Sequence, residues 1–225
     1  LISDPAIRAD AELFCAQEAQ HSRHHLAHLK VLINKYPALE KVREDVAASY
    51  EALLRNQTLE FHLAYAAVIE LWFGPLARCV IQNRDRLFVD TDSRIASFIM
   101  WHLVEEFEHR NSAIDIFNAV CGRYAYRLRC TPAVVRHIFE IDRIVRAGFK
   151  AHVPREPGKV GPSESLQFLQ VIPMTQNLLL LYELSCTLLP FHRPDRLKQP
   201  EWVTHWLAAE HSGADMRGYY PGAVP

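Results

Sequence analysis

Apolar residues recur at helical spacing through nearly all of this 225-residue sequence, and no stretch alternates apolar and polar residues as a half-buried strand would. A chain patterned this way buries its apolar stripes helix against helix, so the expected fold class is all-α. Caps and breakers set the boundaries. A first helix is expected from Pro5 to about Tyr36, capped by Ser3 or Asp4 and stopped by Pro37. A shorter, charged helix follows to about Arg55. A third runs from Thr58 to about Asp85, strongly apolar, with a kink expected at Gly74-Pro75. The fourth is expected to be continuous from Asp90-Thr91-Asp92, any of which can cap it, to Gly122. Thr131-Pro132 reads as the start of the fifth, whose Arg136, Arg143 and Arg146 form a basic row. Residues 153–162 (VPREPGKVGP) read as a connector, Glu164 to Leu189 as a sixth helix, Glu201 to His211 as a short last one, and 212–225 as a loose tail. No repeat at solenoid spacing is present, and residues 1–225 are expected to form a single all-α domain.

Composition removes several function classes. The net charge of -1 leaves no footprint for nucleic acid or an anionic membrane. The longest apolar stretch, Asn177 to Phe191, is broken by Glu183 and is short for a bilayer, so no transmembrane segment is expected. Leu1 to Asp10 has no signal-peptide core. The five cysteines (Cys15, Cys79, Cys121, Cys130, Cys186) are odd in number and widely spaced, with no CxxC pair, which points to a soluble protein of the reducing cytoplasm.

The remaining compositional excess is histidine. Six of the 12 lie in two helical segments, QEAQHSRHHLAH (17–28) and WHLVEEFEH (101–109). At about 100° per residue, Glu18, His21, His25 and His28 fall within roughly 80° of one face. His102, Glu105, Glu106 and His109 share a face roughly 100° wide. Each segment contains Glu-x-x-His, as Glu18/His21 and Glu106/His109. Residues three apart project from adjacent turns, so a carboxylate oxygen and an imidazole nitrogen can converge on one ion. With 12 His and an ordinary share of Glu, roughly one such motif is expected by chance. Two copies with further His on each face outweigh the bland alternative of solvated charged faces. Paired motifs of this kind, with Glu from two other helices, build the interior site of ferritin-like dinuclear bundles. Mixed carboxylate and imidazole ligation suits iron, manganese or zinc.

The apolar third helix isolates Glu70, which must be buried and therefore needs a cation or a strong donor. A metal is the favoured partner, and His62, two turns earlier, is the alternative. Glu183, alone in LLLLYELSCTLL, meets the same argument; a salt bridge to a fifth-helix arginine is favoured over ligation. Asp115 lies about 240° round the helix from His109, which argues against direct ligation. No Gly-rich phosphate loop, nucleophile elbow or HExxH is present.

QEAQHSRHH, the Glu70 helix, WHLVEEFEHRNSAIDIF and PFHRPD occur in the order seen in bacterial proteins called predicted metal-dependent hydrolases. The sequence resembles that family from about residue 4 to 207. The resemblance implies a ferritin-like helical bundle with additional C-terminal helices. It matches Glu18, His21, His25, Glu70, His102, Glu105, Glu106, His109, Asp115 and His192 to family positions. Two departures are visible. Family members carry a further helix with one more Glu before the segment that begins here, so an N-terminal helix is expected to be missing. Arg193-Pro194 also stands where the family tends to have Pro-Trp, which weakens any role for His192.

The leading functional expectation is a dinuclear Glu/His centre in an iron or manganese oxidase or oxygenase. The alternatives are a hydrolase using a metal-activated water, and a non-catalytic metal-binding protein. Glu18, His21, Glu70, Glu106 and His109 are the expected ligands of two divalent ions, iron or manganese, with zinc as the other option. Glu105, His25 and His102 are the expected catalytic residues, orienting ligands or moving protons. A small-molecule substrate of apolar character is expected, and a homodimer is compatible with the sequence.

Overall fold

The computed structural model describes residues 1–89, 91–154 and 168–220. Among these lie ten α-helices: α1 (Pro5–Lys35), α2 (Leu39–Asn56), α3 (Leu59–Gln82), α4 (Arg84–Leu87), α5 (Ser93–Glu108), α6 (Ser112–Val120), α7 (Tyr124–His152), α8 (Phe168–Val171), α9 (Met174–Cys186) and α10 (Glu201–His211). Short 3-10 turns occupy Pro194–Arg196 and Met216–Gly218, and the described residues contain no strand. The fold is an all-α helical bundle.

The caps sit where the sequence places them. Asp4 accepts from the Ala6 amide at 2.8 Å, Thr58 from Phe61 at 3.3 Å and Asp92 from Arg94 at 2.9 Å. Each satisfies one of the orphan donors of a first helical turn. Asp90, most of the expected connector, Glu164 and residues 221–225 lie outside the described residues.

Four expectations need correction. The fourth helix is not continuous: α5 ends at Glu108, His109 is its C-cap, and α6 restarts at Ser112. No Gly or Pro marks that break; α6 turns aside to pack on α1 and α3, a tertiary demand that local pattern does not carry. Pro132 does not open a helix but lies inside α7. It removes one backbone bond, yet Cys130 before it and Val134 after it are buried in the same cluster with α3, and this packing holds both turns in line. The tail is only partly loose: the Tyr220 amide donates to Ser97 Oγ at 2.8 Å, and its ring is buried with α5 and α10. The helix expected to begin at Glu164 is described from Phe168 as two pieces, α8 and α9, separated before Pro173.

α3 is the axis of the bundle, packed by α5, α6, α7 and α9. Pro75 and Gly74 are accommodated within one continuous helix, and Gly74 leaves room for Leu197, which would stand 3.3 Å from an added Cβ. α3 is also long and apolar enough to cross a membrane, but it is mostly buried within the bundle. Its first half (Phe61, Ala64, Ala67, Val68) joins one apolar cluster with Phe117 and Val134. Its second half (Ala77, Ile81) joins another with Met100, Phe107 and Trp206. Glu70 falls between the two clusters, and the polar site is built at that gap.

Candidate metal centre

The 3- and 4-residue spacing on α1 turns Glu18, His21 and His25 toward α5, and α5 answers with His102, Glu105 and Glu106. His109 completes the set from the C-cap of α5, where its amide still reaches the Glu105 carbonyl at 3.2 Å. Glu70 enters from α3. His21, Glu70, Glu106 and His109 are buried.

The donor atoms converge. His21 Nδ1 lies 3.3 Å from Glu18 Oε1 and 3.9 Å from Glu106 Oε1. His109 Nε2 lies 3.1 Å from Glu106 Oε2, 3.3 Å from Glu18 Oε1 and 3.9 Å from Glu70 Oε2. One ligand atom from each of Glu18, His21, Glu106 and His109 lies within 4.8 Å of all the others. Ligand atoms bonded at about 2.1 Å to a shared ion stand roughly 3 to 4 Å apart, so small side-chain shifts would bring these donors onto one ion. Glu18 Oε1, His21 Nδ1 and Glu70 Oε2 have no hydrogen-bond partner although they are buried. Buried polar atoms without a partner are costly, and a cation where Glu18 Oε1 and His21 Nδ1 meet would satisfy both.

A second tier of contacts aims these donors. His21 Nε2 donates to Glu105, which leaves Nδ1 facing the other ligands. His102 Nε2 bonds Glu106 Oε1 at 2.7 Å, and His25 Nε2 lies 2.7 Å from His102 Nδ1. The Glu106–His102–His25 chain runs from the buried cluster to the exposed rim. The Trp101 and Phe14 rings stand edge-on to His21 and His109, each at 5.2 Å, as apolar walls.

The electrostatics are those of a site waiting for positive charge. Burial, reinforced by Glu106 beside it, pushes Glu70 up to about 10. Burial also pushes Glu106 upward, but hydrogen bonds from His102 and His109 outweigh it and hold that carboxylate well below its usual range. Burial alone would lower His21; its hydrogen bond to Glu105 and the neighbouring Glu18 carboxylate raise it to about 9. His25 is lowered to about 4 by partial burial of its ring and by the neighbouring His102. Without metal, Glu70 and His21 thus carry protons that a bound cation would displace.

Residues 1–194 match the family model described as predicted metal-dependent hydrolase. The chain belongs to that family. Neither a curated protein nor a solved structure matches it. The description of the family as metal-dependent accords with a Glu/His cluster able to hold metal.

All eight residues singled out from the sequence meet at this locus, though at different depths. Four converge in the cluster, Glu70 borders it, and Glu105, His102 and His25 stand behind the ligand atoms. His62 is not among them: its Nε2 is buried without a partner, so Glu70 finds the cluster and not His62. Asp115, on α6, is also apart; burial and then Asp10 raise its carboxyl. Glu183 does form a salt bridge, but to Arg78 of α3 at 2.6 Å and not to a fifth-helix arginine. Arg78 was legible by the logic applied to Glu70, since a lone cation in an apolar helix also needs a partner.

Sequence reasoning also missed a cavity of about 660 Å³ that opens beside Glu70. Its wall comes from α3, Arg110, α9 and the segment after it, including His192, whose imidazole is lowered by burial and by Arg127. No local signal announces a cavity assembled from residues so far apart in sequence.

Proposed function

We propose that this protein hydrolyses an ester or amide with one divalent ion held by Glu18, His21, Glu106 and His109. The carrying observation is the meeting of the unpartnered Glu18 Oε1 and His21 Nδ1 with His109 and Glu106 within one ion's reach. When bound, a divalent ion supplies a water of lowered pKa and polarises the carbonyl to be attacked. Glu105 fixes the tautomer and ring orientation of His21, and His102 does the same service for the Glu106 carboxylate. Glu70 borders both cluster and cavity, so it is the carboxyl placed to carry a proton between them. The water oxygen bonds to the acyl carbon, the C–O or C–N bond breaks, and the proton lost by the water reaches the leaving atom by way of Glu70. His102 and His25 link the site to the surface for proton exchange with solvent. A second ion would need Glu70 and Glu105 as ligands.

The family description favours hydrolysis over the oxidase or oxygenase chemistry that the ligand types first suggested. The five free cysteines suit a reducing, cytoplasmic setting. The test is to strip the protein with a chelator, restore zinc, manganese or iron, and measure bound metal, acid released from ester and amide panels, and oxygen uptake. About one ion per chain, with hydrolysis restored by zinc or manganese and no oxygen uptake, is expected. Oxygen uptake without hydrolysis would return the reading to an oxidase, and absence of metal binding would overturn both.

A further inference from the structure

The cavity beside Glu70 has a chemical character of its own. Leu71, Pro75, Leu189 and Leu197 give it apolar walls, and Phe191, 87% exposed, stands at its mouth. Of its two carboxyl groups, Glu183 is paired with Arg78 and Glu70 turns toward His109 of the cluster. Its three arginines, Arg110, Arg193 and Arg196, share one nearby carboxylate, Asp195, which all three hold low. Arg193 is paired with Asp195 at 2.9 Å, but no carboxylate of the described residues forms an ion pair with Arg110. Arg110 is nonetheless held firmly. Its Nε donates to the Pro194 carbonyl at 3.3 Å, Nη1 donates to the Phe107 carbonyl, and the guanidinium lies 5.9 Å from the Phe107 ring centre. A fixed, half-buried guanidinium bonded to no carboxylate, in an apolar cavity that reaches Glu70 at the edge of the metal cluster, is a ready anchor for a carboxylate or phosphate. The volume of about 660 Å³ is in the range of small-molecule sites.

We propose that the substrate carries an apolar body and an anionic head, carboxylate or phosphate, with the head paired to Arg110 and the body against Leu71, Leu189 and Phe191. The bond that is cut rests on the hydrolase reading; the binding of the anion does not. It is therefore tested on the metal-free protein by titration calorimetry with octanoate, octyl phosphate and the neutral octanamide, on wild type, Arg110→Lys and Arg110→Gln. Octanoate or octyl phosphate is expected to bind wild type about tenfold or more tightly than octanamide. Whichever anion binds better names the head group. Arg110→Gln is expected to erase that preference and Arg110→Lys to keep part of it, with zinc binding unchanged in both. If Arg110→Gln does not fold, the three ligands on wild type still decide, because equal affinity for anion and amide overturns the proposal. So does anion binding unaltered by Arg110→Gln. A failure of zinc binding in wild type would instead defeat the hydrolase reading and leave this result standing.

Discussion

α1 and α3 both lend side chains to the same buried cluster, yet they are held in opposite ways. α3 buries residues along its whole length in two apolar clusters, and Glu70 is a polar insertion in a helix that packing already fixes. α1 is longer, with 31 residues, and His21 is the one it buries. Leu13, Leu26 and Val31 are exposed on it. Burial of apolar area is the main stabilising term in folding, so α1 has little of it to draw on. Beyond its packing on α6, its inward contacts run through Glu18 and His21. α3 positions the site, whereas α1 leans on it.

The largest effect that can break this contrast is loss of a ligand. Glu106→Gln is expected to weaken zinc binding by more than about a hundredfold, beyond the range for residues that only orient a ligand. Calorimetry checks it, and circular dichroism should show the α3 core intact. Phe117→Ala attacks the opposite side. It empties a buried position against α3 and is expected to cost about 3–5 kcal/mol in denaturant unfolding, with zinc affinity little changed in the folded fraction. Glu105→Gln leaves the ligand atoms in place but removes the acceptor behind His21, so an affinity loss of about 10- to 100-fold is expected.

Metal removal sharpens the comparison further. Hydrogen exchange of the chelated protein should rise over Gln17–His28 and stay unchanged over Leu59–Gln82. The pH dependence has a definite sign. Without metal, His21 at about 9 and Glu70 at about 10 are both raised, so the stability they contribute is present at low pH and lost as pH climbs through those values. Zinc bound at Nδ1 must displace the His21 proton, so its affinity should increase from pH of about 6 toward about 9. The smallest effect belongs to the exposed side of α1: Leu13→Ala, at a position 60% exposed, should change unfolding free energy by no more than about 0.5 kcal/mol.

What was legible in the sequence follows the range of the interactions concerned. The faces carrying Glu18, His21, His102 and Glu106 are set by helical period alone, and Glu70 declares itself as a lone charge in an apolar helix. The break at His109 was hidden because no Gly or Pro accompanies it; it comes from how α6 packs. Pro132 misled because the penalty for an interior proline is outweighed by the packing of Cys130 and Val134. The Arg78–Glu183 pair and the cavity beside Arg110 join residues more than 70 positions apart, and no periodicity reports such meetings.

Two imidazoles and two carboxylates, from α1 and from α5 with its C-cap, are the proposed holders of a metal ion. X-ray absorption at the edge of zinc restored to the chelated protein tests it directly. Two nitrogen and two or more oxygen neighbours are expected at about 2.0–2.2 Å, with the nitrogen shell reduced in His21→Ala. A zinc shell of oxygen alone, a sulfur neighbour, or a spectrum unchanged by His21→Ala would contradict it.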